Sequence, residues 1–140
     1  MAGSQTPTTP RKQRPVRKVF SLDEANRTLP LVSRIVRDVV EMHAGCAQVQ
    51  ARIETADPRE VPALQERLEL AVDRLHDLVD ELSQVGVLLK DYEIGLVDFP
   101  ARHEDRDVYL CWRLGEAEVG FWHELHAGYG GRQPIQTFRP

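Results

Sequence analysis

Five side chains that can bind a metal ion lie within eleven residues near the end of the sequence: Glu116, Glu118, His123, Glu124 and His126. Carboxylates and imidazoles together are typical ligands of zinc, manganese and non-haem iron. We therefore interpret Glu116, His123, Glu124 and His126 as a candidate divalent-metal site. A metal bound there would activate a water molecule, with Glu124 as the base.

The spacing of these side chains matches no established metal-binding motif. The segment that begins at His123 reads HELH, whereas the zinc motif requires HExxH. On a strand, His123 points away from the face shared by Glu118, Glu124 and His126, but on a helix the two histidines share a face. The alternative interpretation is a structural His123 that is hydrogen-bonded beside Trp122.

A second candidate is an anion-binding pocket formed by two arginines and a glycine-rich loop. Its ligand-binding residues are Arg113, Trp122, Gly128, Gly130, Gly131 and Arg132. Exposed glycine amides and guanidinium groups bind carboxylates and phosphates well, although the loop lacks the Gly-Lys-Ser or Gly-Lys-Thr of a phosphate loop. Two alternatives remain open: Arg132 pairs with an acid such as Asp98 or Glu116, and the tryptophan belongs to the core.

Composition narrows the class of protein. A chain of 140 residues with 41% hydrophobic and 29% charged residues is typical of one soluble globular domain. Its two cysteines, Cys46 and Cys111, are too few for a disulfide framework or a paired-cysteine zinc site, which favours the cytoplasm. No apolar run approaches the ~20 residues of a membrane span. No serine or cysteine has an obvious partner base, so nucleophilic catalysis is not favoured.

Charge is distributed unevenly along the chain. Residues 1–18 contain five basic residues, no acid and several prolines and threonines, so we predict a disordered basic tail. The remaining residues contain 13 bases and 22 acids and therefore carry a net charge of −9. An acidic body repels a phosphate backbone, so nucleic-acid binding is not expected except through the tail.

Two long helices are predicted to position the C-terminal segment. Ser21 and Glu24 form a capping box, and an apolar seam with steps of three and four residues follows as far as Ile53. Pro30 interrupts this seam and predicts either a kink or a short first helix followed by a longer one. Asp57 is predicted to cap a second helix that begins at Pro58.

The second helix carries a leucine-rich seam from Val61 to Val85 and is predicted to end at Gly86. The two helices then form an antiparallel, coiled-coil-like hairpin over residues 21–86, about 40 Å long. Each helix carries a second apolar row beside its seam, so its apolar surface is wider than the other helix of the hairpin can cover. A second copy of the hairpin would cover the remainder, which favours a homodimer.

Residues 87–134 are predicted to form a small antiparallel sheet of about three strands. The strands are Gly95–Arg102, Val108–Leu114 and Val119–Leu125, with the first two joined by the polar loop His103–Asp107. The segment Val87–Leu89 is either a short strand or a last helical turn. The predicted fold is therefore a single α+β domain over residues 19–136.

Several segments resemble the prokaryotic DUF2203 family over roughly residues 19–136: LDEANRTLP, GLVDFPAR, VYLCWRLGE and FWHELHAGYGGRQP. The resemblance implies a helical part beside a small β part and supplies no activity, cofactor or catalytic residue. We interpret the chain as a cytoplasmic interaction or assembly module that dimerises through its hairpin. Its sheet end would present Arg113, His123 and Arg132 to a protein partner or a small acidic ligand. The alternative is a metal-binding protein or a metal-dependent hydrolase-like enzyme.

Overall fold

The computed structural model describes residues 18–140, and the predicted basic tail lies outside the described residues except for Lys18. Two helices precede one antiparallel sheet with the strand order β1-β2-β3-β4-β5. The elements are α1 (Leu22–Thr55), α2 (Val61–Val85), β1 (Leu88–Asp91), β2 (Leu96–His103), β3 (Arg106–Arg113), β4 (Phe121–Glu124) and β5 (Gln133–Pro134). The predicted α+β class is confirmed, but the sheet has five strands and not three. β1 and β5, with four and two residues, are too short to show an alternating pattern.

The start of α1 is stabilised by the predicted capping box. Ser21 Oγ accepts a hydrogen bond from the Glu24 amide at 3.0 Å, and Glu24 Oε1 accepts one from the Ser21 amide at 2.9 Å. The helix then runs for 34 residues through Pro30, so a separate short first helix is wrong. Pro30 removes one hydrogen bond, while the buried Leu29 and Val32 anchor the helix on both sides.

The start of α2 differs from the prediction, and its end confirms it. Glu60 occupies the N-cap, so the helix begins three residues after Pro58. Asp57 instead accepts a hydrogen bond from the Arg59 amide at 2.8 Å and pairs with the Arg59 guanidinium at 2.9 Å. This local turn satisfies the carboxylate before a helix can use it. Gly86 ends α2 with a φ of 101°, as glycine permits.

The hairpin between β2 and β3 is tighter than predicted. Its turn contains only Glu104 and Asp105, with φ values of 47° and 68°, and His103 pairs directly with Arg106. The predicted loop from His103 to Asp107 is therefore wrong in length. Two successive left-handed residues match the twist of a two-residue hairpin, and aspartate tolerates this conformation better than most residues.

The hydrophobic core lies between the helical hairpin and one face of the sheet. Val97, Phe99 and Leu110 from the sheet are fully buried together with Leu78 and Leu82 from α2. Because the contributing residues of each strand are two apart, they all point to the helix-facing side. The other side of the sheet is left to a different set of residues, described below.

The hairpin is much longer than the sheet that supports it. At 1.5 Å per residue, α1 is about 51 Å long, whereas an eight-residue strand spans only about 27 Å. The core shared with the sheet includes α2 only from Leu75 onward. Nearer the turn, Leu68 and Ala71 are half-buried, and Leu64 is buried outside that core. The half of the hairpin nearest its turn therefore projects from the domain. Neither α1 nor α2, nor any other helix of residues 18–140, combines the length and apolarity of a membrane span.

Candidate functional site

Three chemically active side chains are buried on the sheet face that points away from the helices. Asp98 on β2, Cys111 on β3 and His123 on β4 are 1%, 0% and 2% exposed. Asp98 pairs directly with Cys111 across the strands, and His123 lies one strand further on. β3 is buried on both faces here, because Leu110 and Trp112 lie on the helix-facing side while Cys111 is covered on the opposite side. We call these three residues the outer-face cluster.

The outer-face cluster is held by hydrogen bonds to His123. Its Nε2 lies 3.0 Å from Asp98 Oδ1, and its Nδ1 lies 2.8 Å from the carbonyl oxygen of Glu124. A carbonyl oxygen only accepts, so Nδ1 must carry a proton. The contact between Nε2 and Asp98 gives both buried polar groups a hydrogen-bond partner, which makes their burial tolerable.

The thiol of Cys111 is protonated at neutral pH. Burial, followed by the nearby negative charge of Asp98, raises the pKa of the Cys111 thiol from 9.0 to about 12. His123 cannot act as its general base through Nδ1, which donates to the Glu124 carbonyl. Cysteine nucleophile chemistry is therefore not what this arrangement favours at neutral pH.

Arg132 packs over the same face and forms the ion pair that the sequence left as an alternative. Its guanidinium lies 3.9 Å above the Phe121 ring and donates to Glu116 Oε1 at 2.8 Å and to the Cys111 carbonyl at 3.4 Å. The Arg132 and Glu116 side chains are 11% and 26% exposed. Arg132 Nε has no hydrogen-bond partner among the described residues. An arginine–glutamate ion pair, which has no net charge, thus borders the outer-face cluster.

Glu116 is positioned by the loop between β3 and β4. Its carbonyl accepts a hydrogen bond from Trp112 Nε1 at 3.0 Å, and its carboxylate accepts one from the Arg113 amide at 2.8 Å. Further along the loop, the Val119 amide donates to Asn26 Oδ1 of α1 at 2.8 Å. The loop and α1 border an open groove of about 600 Å³. Local hydrogen bonds from Trp112 and Arg113 therefore position the acid that pairs with Arg132, and the contact with Asn26 anchors its loop to α1.

The predicted anion-binding residues do not form one open pocket. Arg113 donates to the Tyr129 hydroxyl at 3.2 Å, and the Gly131 amide donates to the Gly128 carbonyl at 3.1 Å. Trp122 lies on the helix-facing side of the sheet, where it is 2% exposed and donates to Thr137 Oγ1 at 2.8 Å. Gly128 and Gly130 are exposed in the loop. Arg132, as described above, is engaged by Glu116.

The predicted metal ligands are also separated. Glu116 pairs with Arg132, Glu124 pairs with Arg106 at 2.6 Å, and His126 is exposed. Of the four, only His123 belongs to a group of donors that converge. Within residues 18–140, the one group of three or more histidine, cysteine and acidic donors within metal-binding range is the outer-face cluster.

Sequence reasoning named Asp98 only as a possible partner of Arg132 and found no base for Cys111, so it did not bring these two residues together with His123. With His103–Asp107 as the loop, Asp98 would stand opposite Trp112. The observed two-residue turn shifts the register by one, so Asp98 stands opposite Cys111. A one-residue shift moves a side chain to the other face of the sheet. The sequence feature that could have indicated the shorter turn is the pair Glu104–Asp105, which can form a two-residue hairpin turn.

The Glu124–Arg106 ion pair predicts a specific response to acid. Hydrogen bonds from Arg106 lower the pKa of Glu124 below its ordinary value of 4.5. A lowered folded-state pKa gives stabilisation that is complete above 4.5 and is lost as pH falls through the folded value. We expect Glu124→Gln to change neutral-pH stability little, because the pair is exposed, and to weaken the acid dependence of urea unfolding. An unchanged acid dependence would contradict this role.

Comparison with curated proteins and with solved structures finds no match to this chain. A protein-family model described as "Uncharacterized conserved protein (DUF2203)" matches residues 18–135. That range includes both helices, all five strands and the outer-face cluster. The match covers most of the chain and agrees with the resemblance noted from the sequence. This protein therefore belongs to the DUF2203 family of uncharacterized conserved proteins.

Proposed function

We propose that this protein is a cytoplasmic assembly module that forms a homodimer through the projecting half of its hairpin. The observation that carries the proposal is Leu70, an α2 side chain that is 65% exposed. A single exposed leucine is common on protein surfaces. The charges around this leucine make it more informative.

Leu70 is surrounded by four exposed charges whose order along α2 is acid, base, acid, base. Glu66 and Arg67 precede it by four and three residues, and Asp73 and Arg74 follow it by three and four. Residues at these spacings share one helix face with the leucine. We call Leu70 and these four residues the α2 patch.

The α2 patch is complementary to itself about a two-fold axis through Leu70. When two copies of α2 cross antiparallel there, Glu66 faces Arg74 of the partner subunit and Arg67 faces Asp73 of the partner subunit. The symmetry generates four opposite-charge contacts around two leucines. A parallel arrangement would place each charge against its own copy and repel. The pattern therefore supports an antiparallel, isologous dimer.

Two other observations support this assignment. The α2 seam is only half-buried near the patch, at Leu68 and Ala71, so a second hairpin would cover apolar surface that the first leaves open. The ion pair between Arg74 and Glu81 is long, at 3.9 Å, and both side chains are half exposed. This weak contact leaves Arg74 able to pair with an acid of another subunit. Cys46 and Cys111 are free thiols, which supports the cytoplasmic location.

Replacing Leu70 by serine is expected to dissociate the dimer. Burying one leucine contributes about 1.5–3 kcal/mol, so losing two should raise the dimer Kd by at least about 100-fold. Light scattering coupled to size-exclusion chromatography at tens of micromolar measures the mass. Leu31→Ser is the matched control, because Leu31 is also exposed, at 42%, but lies on α1. A monomeric wild-type protein would contradict the proposal.

Charge reversal tests the antiparallel geometry separately. Arg67→Glu places a glutamate against Asp73 of the partner subunit twice per dimer and should weaken association. Adding Asp73→Arg in the same chain restores opposite charges at both contacts, so Arg67→Glu/Asp73→Arg should recover the wild-type mass. A double variant that stays as weak as the single variant would exclude this arrangement.

A further inference from the structure

We propose that the outer-face cluster, Asp98, Cys111 and His123, binds one zinc-like divalent cation. This site shares only His123 with the metal site predicted from the sequence, and it is independent of the α2 patch. One carboxylate oxygen, one sulfur and one imidazole nitrogen lie within 4.8 Å of one another. Bonds of about 2.0–2.3 Å in a tetrahedral site separate ligand atoms by roughly 3.5 Å. Small side-chain rotations thus bring all three donors to one cation.

The orientation of His123 is the one that a metal ligand requires. Its Nδ1 donates to the Glu124 carbonyl at 2.8 Å, so Nε2 is directed at Asp98, and the Cys111 sulfur lies within 4.8 Å of the other two donors. Metal-binding histidines almost always donate their other ring N–H to a carbonyl, carboxylate or water in this way. The carbonyl belongs to the backbone, so the same orientation persists whatever side chain residue 124 carries.

Charge balance favours a dication in this buried position. A thiolate and a carboxylate supply two negative charges, and an imidazole that binds a metal is neutral. One dication therefore leaves the bound cluster without net charge in an environment that is 0–2% exposed.

The donor set narrows the class of metal. Magnesium and calcium prefer oxygen ligands throughout, whereas sulfur, imidazole nitrogen and a carboxylate together suit zinc. Three protein ligands leave one tetrahedral position for a water molecule or a substrate atom. The neighbouring Arg132 is neutralised by Glu116 at 2.8 Å, so the pair adds no net charge that would repel the cation. The Arg132 guanidinium also donates to the Cys111 carbonyl at 3.4 Å, so its positive charge lies beside the residue that would bind as a thiolate.

Cobalt titration of the full-length, chelator-treated and reduced protein tests the site. We expect Co²⁺ to produce the visible d–d bands of tetrahedral coordination and a sulfur-to-cobalt charge-transfer band in the near ultraviolet. Both should saturate at one cobalt per chain, and Zn²⁺ should remove them. Absence of any tetrahedral spectrum would overturn the proposal, as would a spectrum that lacks the charge-transfer band.

Matched variants locate the ligands. Cys111→Ser should abolish the charge-transfer band and weaken cobalt binding by about 100-fold or more, since losing even an outer-shell partner costs ~10–100-fold. Cys46→Ser replaces the other buried thiol and should leave the spectrum unchanged. Glu124→Gln and His126→Gln should also leave it unchanged. Loss of the band in Cys46→Ser, or its retention in Cys111→Ser, would exclude the cluster as the site.

A measurement on the wild-type protein covers the case in which Cys111→Ser does not fold. Metal affinity should rise with pH around neutrality, because the Cys111 thiol, whose pKa burial raises to about 12, must lose its proton to bind the cation. X-ray absorption at the zinc edge should show one sulfur and two or three lighter ligands. A shell without sulfur, or a pH-independent affinity, would overturn the proposal.

Discussion

Replacing His123 by leucine is expected to reduce the free energy of unfolding by about 3–5 kcal/mol, because it leaves the Asp98 carboxyl group buried without its partner. The side chains of His123 and Asp98 are only 3% and 2% exposed, so water cannot replace the lost contact. Asp98→Val should cost less, about 1–3 kcal/mol, because the remaining imidazole can be neutral and lacks one hydrogen bond. Urea unfolding in the presence of a chelator, which removes any contribution from a bound metal, measures both values.

The double variant Asp98→Val/His123→Leu provides the internal control. Replacing both members of a buried polar pair by apolar residues leaves no group unsatisfied, so its loss should fall below the sum of the single losses by about 1–3 kcal/mol. Strict additivity would show that the 3.0 Å contact between Asp98 Oδ1 and His123 Nε2 does not couple the two residues. Because unfolding is measured with a chelator present, this cycle reports only how the pair stabilises the metal-free protein. The cobalt spectra report metal binding separately.

Replacing Gly95 by alanine is expected to destabilise the protein by about 2–5 kcal/mol. Gly95 has a φ of +72°, and an added Cβ would lie 2.8 Å from both Leu114 Cβ and Val36 Cγ1. The left-handed conformation costs a residue with a Cβ about 1–2 kcal/mol, and overpacking adds about 1–3 kcal/mol. Urea unfolding monitored by tryptophan fluorescence and by circular dichroism measures the change.

Gly45 is the matched control with the opposite expected sign. It lies inside α1, and an added Cβ meets no atom within 4 Å. Gly45→Ala should therefore stabilise the helix by up to about 1 kcal/mol through the difference in helix propensity. If both variants changed stability equally, the close approach of α1 to the start of β2 would not explain the effect at Gly95.

The helical half of the fold was largely readable from the sequence because local rules govern it. The capping box at Ser21, the periodic apolar seams and the left-handed stop at Gly86 all depend on residues a few positions apart. The start of α2 was misplaced by three residues because Asp57 satisfied a local turn instead. Such competition between two local hydrogen-bond patterns has no decisive signature in sequence.

The candidate site was readable only in part. The sequence singled out His123 and Glu116, and it left open the Arg132–Glu116 pairing that the structure contains. Sequence reasoning placed His123 in one metal site with Glu124 and His126 because these residues are close in sequence. Partners across a sheet come instead from other strands, and β pairing depends on a register that one turn residue can change.

The amino-acid sequence by itself determined the α+β class, the two long amphipathic helices and the chemically unusual C-terminal segment, since composition and short-range periodicity carry this information. Only the tertiary structure decided that Asp98, Cys111 and His123 meet, while Glu124 and His126 point elsewhere. One physical reason is the two-residue turn at Glu104 and Asp105, which sets the β2–β3 register that pairs Asp98 with Cys111. The separate pairing of β3 with β4 brings His123 to the same buried face.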